Sequence, residues 1–213
     1  MHDTKKKIIH AACELFAQQG YDGTSIREIA SAADVNVAAV NYHLQNKKAL
    51  FWEVFRYGYE HIEGEIKTSV HECETIEEAT YLMFLKFREN WTQTSTIFRM
   101  ILSKNLPESG EDQSSYCHGR LGPPGGEIIA EFMFKKLGRE IPQELVIWGV
   151  RSIFTQVFHM AIVIETEYVK RFSDTLAEVN NEDYLKRSVQ NHTQAIMNFI
   201  RQTMDEQALD KAN

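Results

Sequence analysis

Residues 35–51 read VNVAAVNYHLQNKKALF. At helical spacing, Ala38, Ala39, Asn41, Tyr42 and His43 take a face that the apolar Val40 and Leu44 do not claim. A core helix fills such a face with Leu or Ile, and a plain surface helix fills it with Glu and Lys. Small side chains beside flat, hydrogen-bonding ones suit a helix pressed against a polar, grooved surface. The two alanines let the helix backbone come close, and their methyls can meet thymine methyls. Asn41 both donates and accepts, so it can read a base edge or hold a phosphate. Tyr42 and His43 carry polar tips suited to phosphates at the edge of a groove.

The elements that hold this stretch follow from spacing and punctuation. A first helix is expected over about 4–19, with Ile8, Ala12, Leu15 and Phe16 at helical spacing and Gly20 as its stop. After GYDG, Thr24 or Ser25 caps a short second helix, and Ser25 with Glu28 has capping-box spacing. Ile26, Ile29, Ala30 and Ala33 form its inner face. Asp34 occupies a position suited to left-handed backbone. Asn36 then caps a third helix over about 37–44, which Val40 and Leu44 anchor. A fourth begins near Lys47 and continues to about 69. Three short helices with a tight second turn form a helix-turn-helix unit, in which the second helix of the motif enters the major groove of DNA. Thr24, Ser25 and Arg27 open one helix and Lys47 another, so their N-terminal N–H groups and side chains are placed to clamp phosphates. From spacing alone, a trihelical packing module in which Tyr42 covers the domain's edge remains the alternative.

The chain has 213 residues, 43% hydrophobic and 25% charged, with four prolines and eleven glycines. That composition belongs to a globular protein built of long helices. No uninterrupted apolar run reaches the roughly 20 residues of a bilayer span. The basic start, MHDTKKKIIHAACELFAQQG, lacks the apolar core and cleavage site of a signal peptide. Cys13, Cys73 and Cys117 lie far apart, which fits a reducing compartment and a cytoplasmic location; Cys13 is expected in the core. The net charge is −7, but residues 1–52 carry Lys5, Lys6, Lys7, Arg27, Lys47 and Lys48 against Asp3, Glu14, Asp22, Glu28 and Asp34. This segment is therefore at +1 and the remainder at −8. Only the N-terminal part is electrostatically fit to meet a polyanion.

Across 4–55 the chain resembles the DNA-binding domain of the tetracycline-repressor (TetR) family of bacterial one-component transcription regulators. FAQQGYDGTSIREIA, ADV and NYHLQNKKALF follow that family's plan in order. The resemblance maps DNA contacts onto Thr24, Ser25, Arg27, Asn36, Val37, Ala38, Ala39, Asn41, Tyr42, His43 and Lys47. Three positions depart from the plan. Asp34 stands where a turn glycine is common, Asn41 where an aromatic is frequent, and Leu44 where Phe is usual. The resemblance implies an all-α protein with a DNA-binding domain over 1–52 and a helical ligand-binding and dimerisation domain over 53–213. It implies a homodimer through helices near 142–168 and 184–203, a roughly palindromic double-stranded operator, and a small-molecule effector that releases a repressor from DNA. The effector would move the fourth helix and pull the two recognition helices out of register.

Beyond residue 70 the pattern stays helical, with apolar stripes over 76–90 and 95–105 and a loop over 106–126. Helix resumes at EIIAEFMFKKLG, and Pro142 opens a helix to about Tyr168 that is apolar nearly all round over 145–164. After a polar stretch at 173–183, a last helix carries Leu185, Val189, Ile196, Phe199 and Ile200 on one stripe. Phe84, Phe87, Arg88 and Trp91, then Phe98 and Met100, then Trp148, Phe154, Phe158 and His159 are candidate linings of a pocket for a flat or amphipathic ligand. Core packing is the competing account of each. If Arg88 and His159 are buried they need partners, and a ligand is one.

No catalytic residue set stands out. GRLGPPGGEI follows no strand and precedes no Lys-Ser/Thr, so no phosphate loop is formed. GxSxG and HExxH are absent. HECE at 71–74 and YCH at 116–118 each fall short of a metal-ligand set. The expectation is therefore neither an enzyme nor a resident metal or cofactor. The alternative is a dimeric helical scaffold or small-molecule-binding protein whose N-terminal unit does not bind DNA specifically.

Overall fold

The computed structural model describes residues 3–102, 106–108, 123–138, 140–171 and 181–212. Its helices are α1 (Asp3–Gly23), α2 (Ile26–Ala32), α3 (Val37–Leu44), α4 (Lys47–Val70), α5 (Ile76–Glu89), α6 (Trp91–Ile101), α7 (Gly126–Leu137), α8 (Gln143–Ile164), α9 (Glu167–Arg171) and α10 (Glu182–Ala212). No strand occurs among the described residues. The chain forms two compact units, one of Met1–His61 with Thr92–Gly119 and one of Ile62–Trp91 with Arg120–Asn213. Most of the segment expected to loop at 106–126 lies outside the described residues, as do Cys117, YCH and nearly all of the polar stretch at 173–183.

In the first unit, Ile8, Ile9, Ala12 and Phe16 of α1 pack on Ile29 and Ala30 of α2, Val40 and Leu44 of α3, and Leu50, Phe51 and Val54 of α4. Gly20 adopts φ 73°, a left-handed value that glycine takes without steric cost, and kinks the end of α1 there. Asp34 also has positive φ (53°), as its short polar side chain allows. Cys13 is mostly buried, and burial pushes its thiol up to about 11, so it is an inert neighbour of the core. Gly58 on α4 permits a close approach by α6. A Cβ there would lie 2.1 Å from Ile97 Cδ1.

The second unit buries Ile76, Met83, Phe84 and Phe87 of α5 against Val146, Val150, Ile153 and Val157 of α8 and Leu185, Val189, Met197 and Ile200 of α10. The hydroxyls of Thr80 and Thr193 meet in this core at 3.0 Å. By length and composition α8 is apolar enough to cross a bilayer, although Arg151, Gln156 and His159 interrupt its apolar run as expected. Its Val146, Gly149, Val150, Ile153, Val157 and Ala161 are nevertheless core residues.

Two boundaries differ from those expected. α8 stops at Ile164 rather than near 168, because the Thr166 hydroxyl donates to Val163 O (2.7 Å) and accepts from Val169 N (3.3 Å). A side chain competing for backbone groups in this way ends one helix and caps the next. α10 runs on to Ala212, well past 203. Its buried stripe is Leu185, Val189, Thr193, Met197 and Ile200, whereas Phe199 is 51% exposed and meets the 41% exposed Trp148 at a tilt, with centroids 4.8 Å apart. Phe199 thus sits about 100° round the helix from Ile200, off the stripe expected to hold it.

Candidate nucleic-acid interface

α3 is short, and its ends are fixed by side chains. The Asn36 side-chain oxygen accepts from Ala39 N at 2.7 Å, which caps the first turn. Gln45 closes the other end with φ 58° and donates its backbone N–H to Asn41 O at 2.9 Å. Val40 and Leu44 are buried and dictate which side faces out. Val37, Ala38, Asn41 and Tyr42 are exposed on that side, Tyr42 at 84%, while Ala39 and His43 are half-buried. The Tyr42 and His43 rings meet edge to face, 5.1 Å apart. α3 therefore presents two methyl-sized side chains, a primary amide and a phenol on one outward strip. Such a strip can enter a groove, match base-edge donors and acceptors and touch phosphates at its rim.

The start of α2 is a capping box. Ser25 Oγ accepts from Glu28 N (3.2 Å), and Ser25 N donates to Glu28 Oε2 (2.7 Å). These hydrogen bonds hold the Glu28 carboxyl below its usual value. Ser25 and Arg27 are exposed beside it.

Two residues expected at this interface are placed otherwise. Thr24 is 2% exposed, with its hydroxyl 2.8 Å from Gly20 O and 3.2 Å from Leu15 O, so it closes the kink of α1 instead of facing outward. Lys47 also turns inward. Its ammonium donates to Tyr21 O (2.9 Å) and Thr24 O (3.1 Å) and lies 4.2 Å from the centre of the Tyr21 ring. The partners of both side chains are main-chain carbonyls, local at the α1 kink for Thr24 and more than 20 residues back for Lys47, which residue types do not reveal. Asn46 caps α4, a role that the spacing, which opens that helix only at Lys47, does not assign. Its side-chain oxygen accepts from Ala49 N (2.9 Å), and an Asn directly before a basic helical start is the available signal.

Of the ten candidate pocket residues, Phe98 and Met100 belong to the first unit and the other eight to the second. Phe87 meets Phe154 (5.7 Å) and Phe158 (5.3 Å) edge to face, and those two stack at 4.9 Å. Phe84 and Phe87 are fully buried core residues. Met100 belongs to the core of the first unit, with Ile8, Phe16 and Phe51, and leaves the set. His159 and Trp148 are exposed, so burial does not require a ligand for His159. Phe98 and Trp91 are half-buried. Arg88 already has partners in Glu165 (2.8 Å) and Glu182 (2.8 Å), with its guanidinium 5.5 Å from the Phe84 ring. Burial alone would raise the Glu165 carboxyl, but hydrogen bonds from Arg88 and Lys170 hold it below the usual range. These two acidic partners lie 77 and 94 residues away in sequence, beyond any local signal.

Comparison with known proteins bears on the same elements. The profile of "Bacterial regulatory proteins, tetR family" matches residues 8–54. The probable HTH-type transcriptional regulator YttP of Bacillus subtilis is 34% identical over 139 residues, covering 53% of this chain and 67% of that protein. IcaR, a negative transcriptional regulator of the biofilm operon icaADBC in Staphylococcus aureus, is 28% identical over 72% of this chain and 87% of its own length. The crystal structure of AibR in complex with isovaleryl coenzyme A and operator DNA superposes with a TM-score of 0.54 at 19% identity, covering 76% of this chain and 85% of that one. The last likeness is one of fold. Together, the capped helix-turn-helix, the profile over α1 to α4 and the similarity to YttP establish that this chain belongs to the TetR family of bacterial regulatory proteins and is a DNA-binding transcriptional regulator.

Proposed function

We propose that the chain is a cytoplasmic repressor that binds a roughly palindromic operator as a homodimer and is released by a small-molecule effector. In this reading residues 1–52 meet DNA and 53–213 dimerise and sense. The observation that carries it is the outward strip of α3, with Ala38, Asn41 and Tyr42 exposed while Val40 and Leu44 anchor the helix from behind. Ala38, Ala39 and Asn41 meet base edges. Val37, Tyr42 and His43 line the groove, Ser25 and Arg27 hold phosphate at the start of α2, and Asn36 contributes through the backbone it caps. The exposed pair Trp148 and Phe199 on α8 and α10 supports a homodimer through these helices, since large apolar side chains exposed together mark association surfaces.

Repression is supported by the likeness to IcaR, and a small-molecule effector by AibR, whose structure holds both a coenzyme A thioester and DNA. The effector must bind the DNA-released conformation better than the DNA-bound one, or it shifts nothing.

Selection of bound duplexes from a random-sequence library, followed by titration of the winner against salt, tests the DNA reading. A single palindrome whose affinity falls steeply as salt rises is the expected result. Weak, salt-insensitive binding to every duplex would favour the scaffold. A true inducer weakens operator binding while the dimer persists in solution.

A further inference from the structure

Lys47 is the first residue of α4, and only Gln45 and Asn46 separate it from α3. Its ammonium reaches back to the other end of the motif. It donates to Tyr21 O at 2.9 Å and Thr24 O at 3.1 Å, the carbonyls that bracket the turn between α1 and α2. The Tyr21 ring lies 4.2 Å below it and stands edge-on to Phe51 of the core at 5.4 Å. Ser25, the residue after Thr24, caps α2. One cation thus ties the junction of α3 and α4 to the junction of α1 and α2. These junctions flank the two surfaces assigned to DNA, the start of α2 and the outer strip of α3.

We propose that Lys47 is a positioning residue for operator recognition, setting the spacing between the phosphate-holding start of α2 and the base-reading strip of α3. Its charge is used on the protein's own carbonyls and not on a phosphate. The hydrophobic contacts of Ile29, Val40, Leu44 and Phe51 hold the fold without it. At the α1–α2 turn Tyr21 packs on Phe16 and Phe51 while Asp22 and Gly23 are exposed. The polar ties there include Lys47, the Thr24 hydroxyl and Thr24 N, which donates to Tyr21 O at 3.4 Å. A base-edge hydrogen bond tolerates small displacement poorly, so loosening this tie affects sequence choice before it affects folding.

The inference rests on the DNA-binding reading above. The test uses the full-length protein, the palindromic duplex that the wild type selects and a scrambled duplex of the same length. Affinities are measured over a salt series at temperatures well below unfolding. Lys47→Met should weaken binding to the selected duplex about tenfold, as expected for loss of a charge-assisted hydrogen bond. It should lower the ratio of selected to scrambled affinity and leave the slope of log affinity against log salt unchanged. Tyr21→Leu removes the ring beneath the ammonium, touches no DNA under either account, and should give the same signature.

A direct phosphate contact would instead flatten the salt slope by roughly one per protomer, weaken both duplexes alike and leave Tyr21→Leu without effect on specificity. That result overturns the proposal. So does a lowered unfolding temperature with ratio and slope both unchanged, which would mark Lys47 as merely structural. If the wild type selects no duplex at all, the DNA reading fails first and this proposal with it.

Discussion

Asn41 stands on the outer strip of α3, exposed, with its carboxamide directed away from the core that Val40 and Leu44 bury. If it reads a base edge, Asn41→Ala should cost about 1–3 kcal/mol in operator affinity and relax preference at one position of each half-site. Alanine has the higher helix propensity, so the fold should not weaken, which separates lost recognition from lost structure. An equal loss on random DNA would make Asn41 a phosphate contact instead. Thr24 behaves in the opposite way because it is buried. Thr24→Val keeps the shape but deprives the Gly20 and Leu15 carbonyls of a donor. Stability should fall by about 1–2 kcal/mol in urea unfolding, while the salt slope of operator binding stays unchanged. The contrast shows what residue types convey. The types at 38–43 announced an outward polar strip, and it is there. Thr24 and Lys47 have the types of phosphate ligands, yet Thr24 bonds back to carbonyls at the kinked end of α1, and Lys47 to Tyr21 O and Thr24 O, which only the fold brings near it.

Capping carries most of what was legible at the scale of helices. Ser25 with Glu28 and Asn36 before α3 fixed two starts correctly, because a cap is chemistry between residues three apart. The end of α8 was misplaced because Thr166 is a helix-compatible residue whose hydroxyl bonding decides the matter only in three dimensions. Close approaches between helices are equally silent in sequence. Gly58→Ala illustrates the balance of terms there. The helix gains up to about 1 kcal/mol from alanine's propensity. However, a Cβ 2.1 Å from Ile97 Cδ1 requires Ile97 to leave its rotamer, and overpacking of this kind costs about 1–3 kcal/mol. A net loss of stability is expected, and Ile97→Val, which removes the clashing methyl, should restore part of it in the double mutant. Arg88 joins α5 to Glu165, just after α8, and to Glu182 at the start of α10. The Glu165 carboxyl is depressed, so its bond to Arg88 contributes stability above the ordinary carboxylate range and loses it as pH falls through the lower folded value. The stability gap between wild type and Arg88→Met should be full at pH 7 and shrink below about pH 4. A gap constant down to pH 3 would mean that Arg88 matters through packing on Phe84 alone.

Whole-molecule behaviour depends on a chain at −7 overall whose residues 1–52 stand at +1. With so little positive charge, one helix-turn-helix unit has weak non-specific affinity for DNA, and useful occupancy requires two units on one duplex. The surface proposed to join them is α8 with α10, where Trp148 and Phe199 touch yet remain 41% and 51% exposed. Gly149, one residue from Trp148, lets α10 sit so near that a Cβ there would be 2.7 Å from Ile200 Cδ1. The two helices are thus closely packed next to the aromatic pair. Trp148→Asp together with Phe199→Asp adds two like charges to each copy of this surface and removes little buried area within a protomer. Light scattering should then report a monomer, and circular dichroism an unchanged helix content. Operator affinity should fall at least about a hundredfold, since the second half-site is no longer bound at high effective concentration. Affinity for an isolated half-site should be unaffected, because α3 is untouched. If the doubly substituted chain remains dimeric, the protomers associate elsewhere, and the exposed Trp148–Phe199 pair must be covered by something other than a second copy.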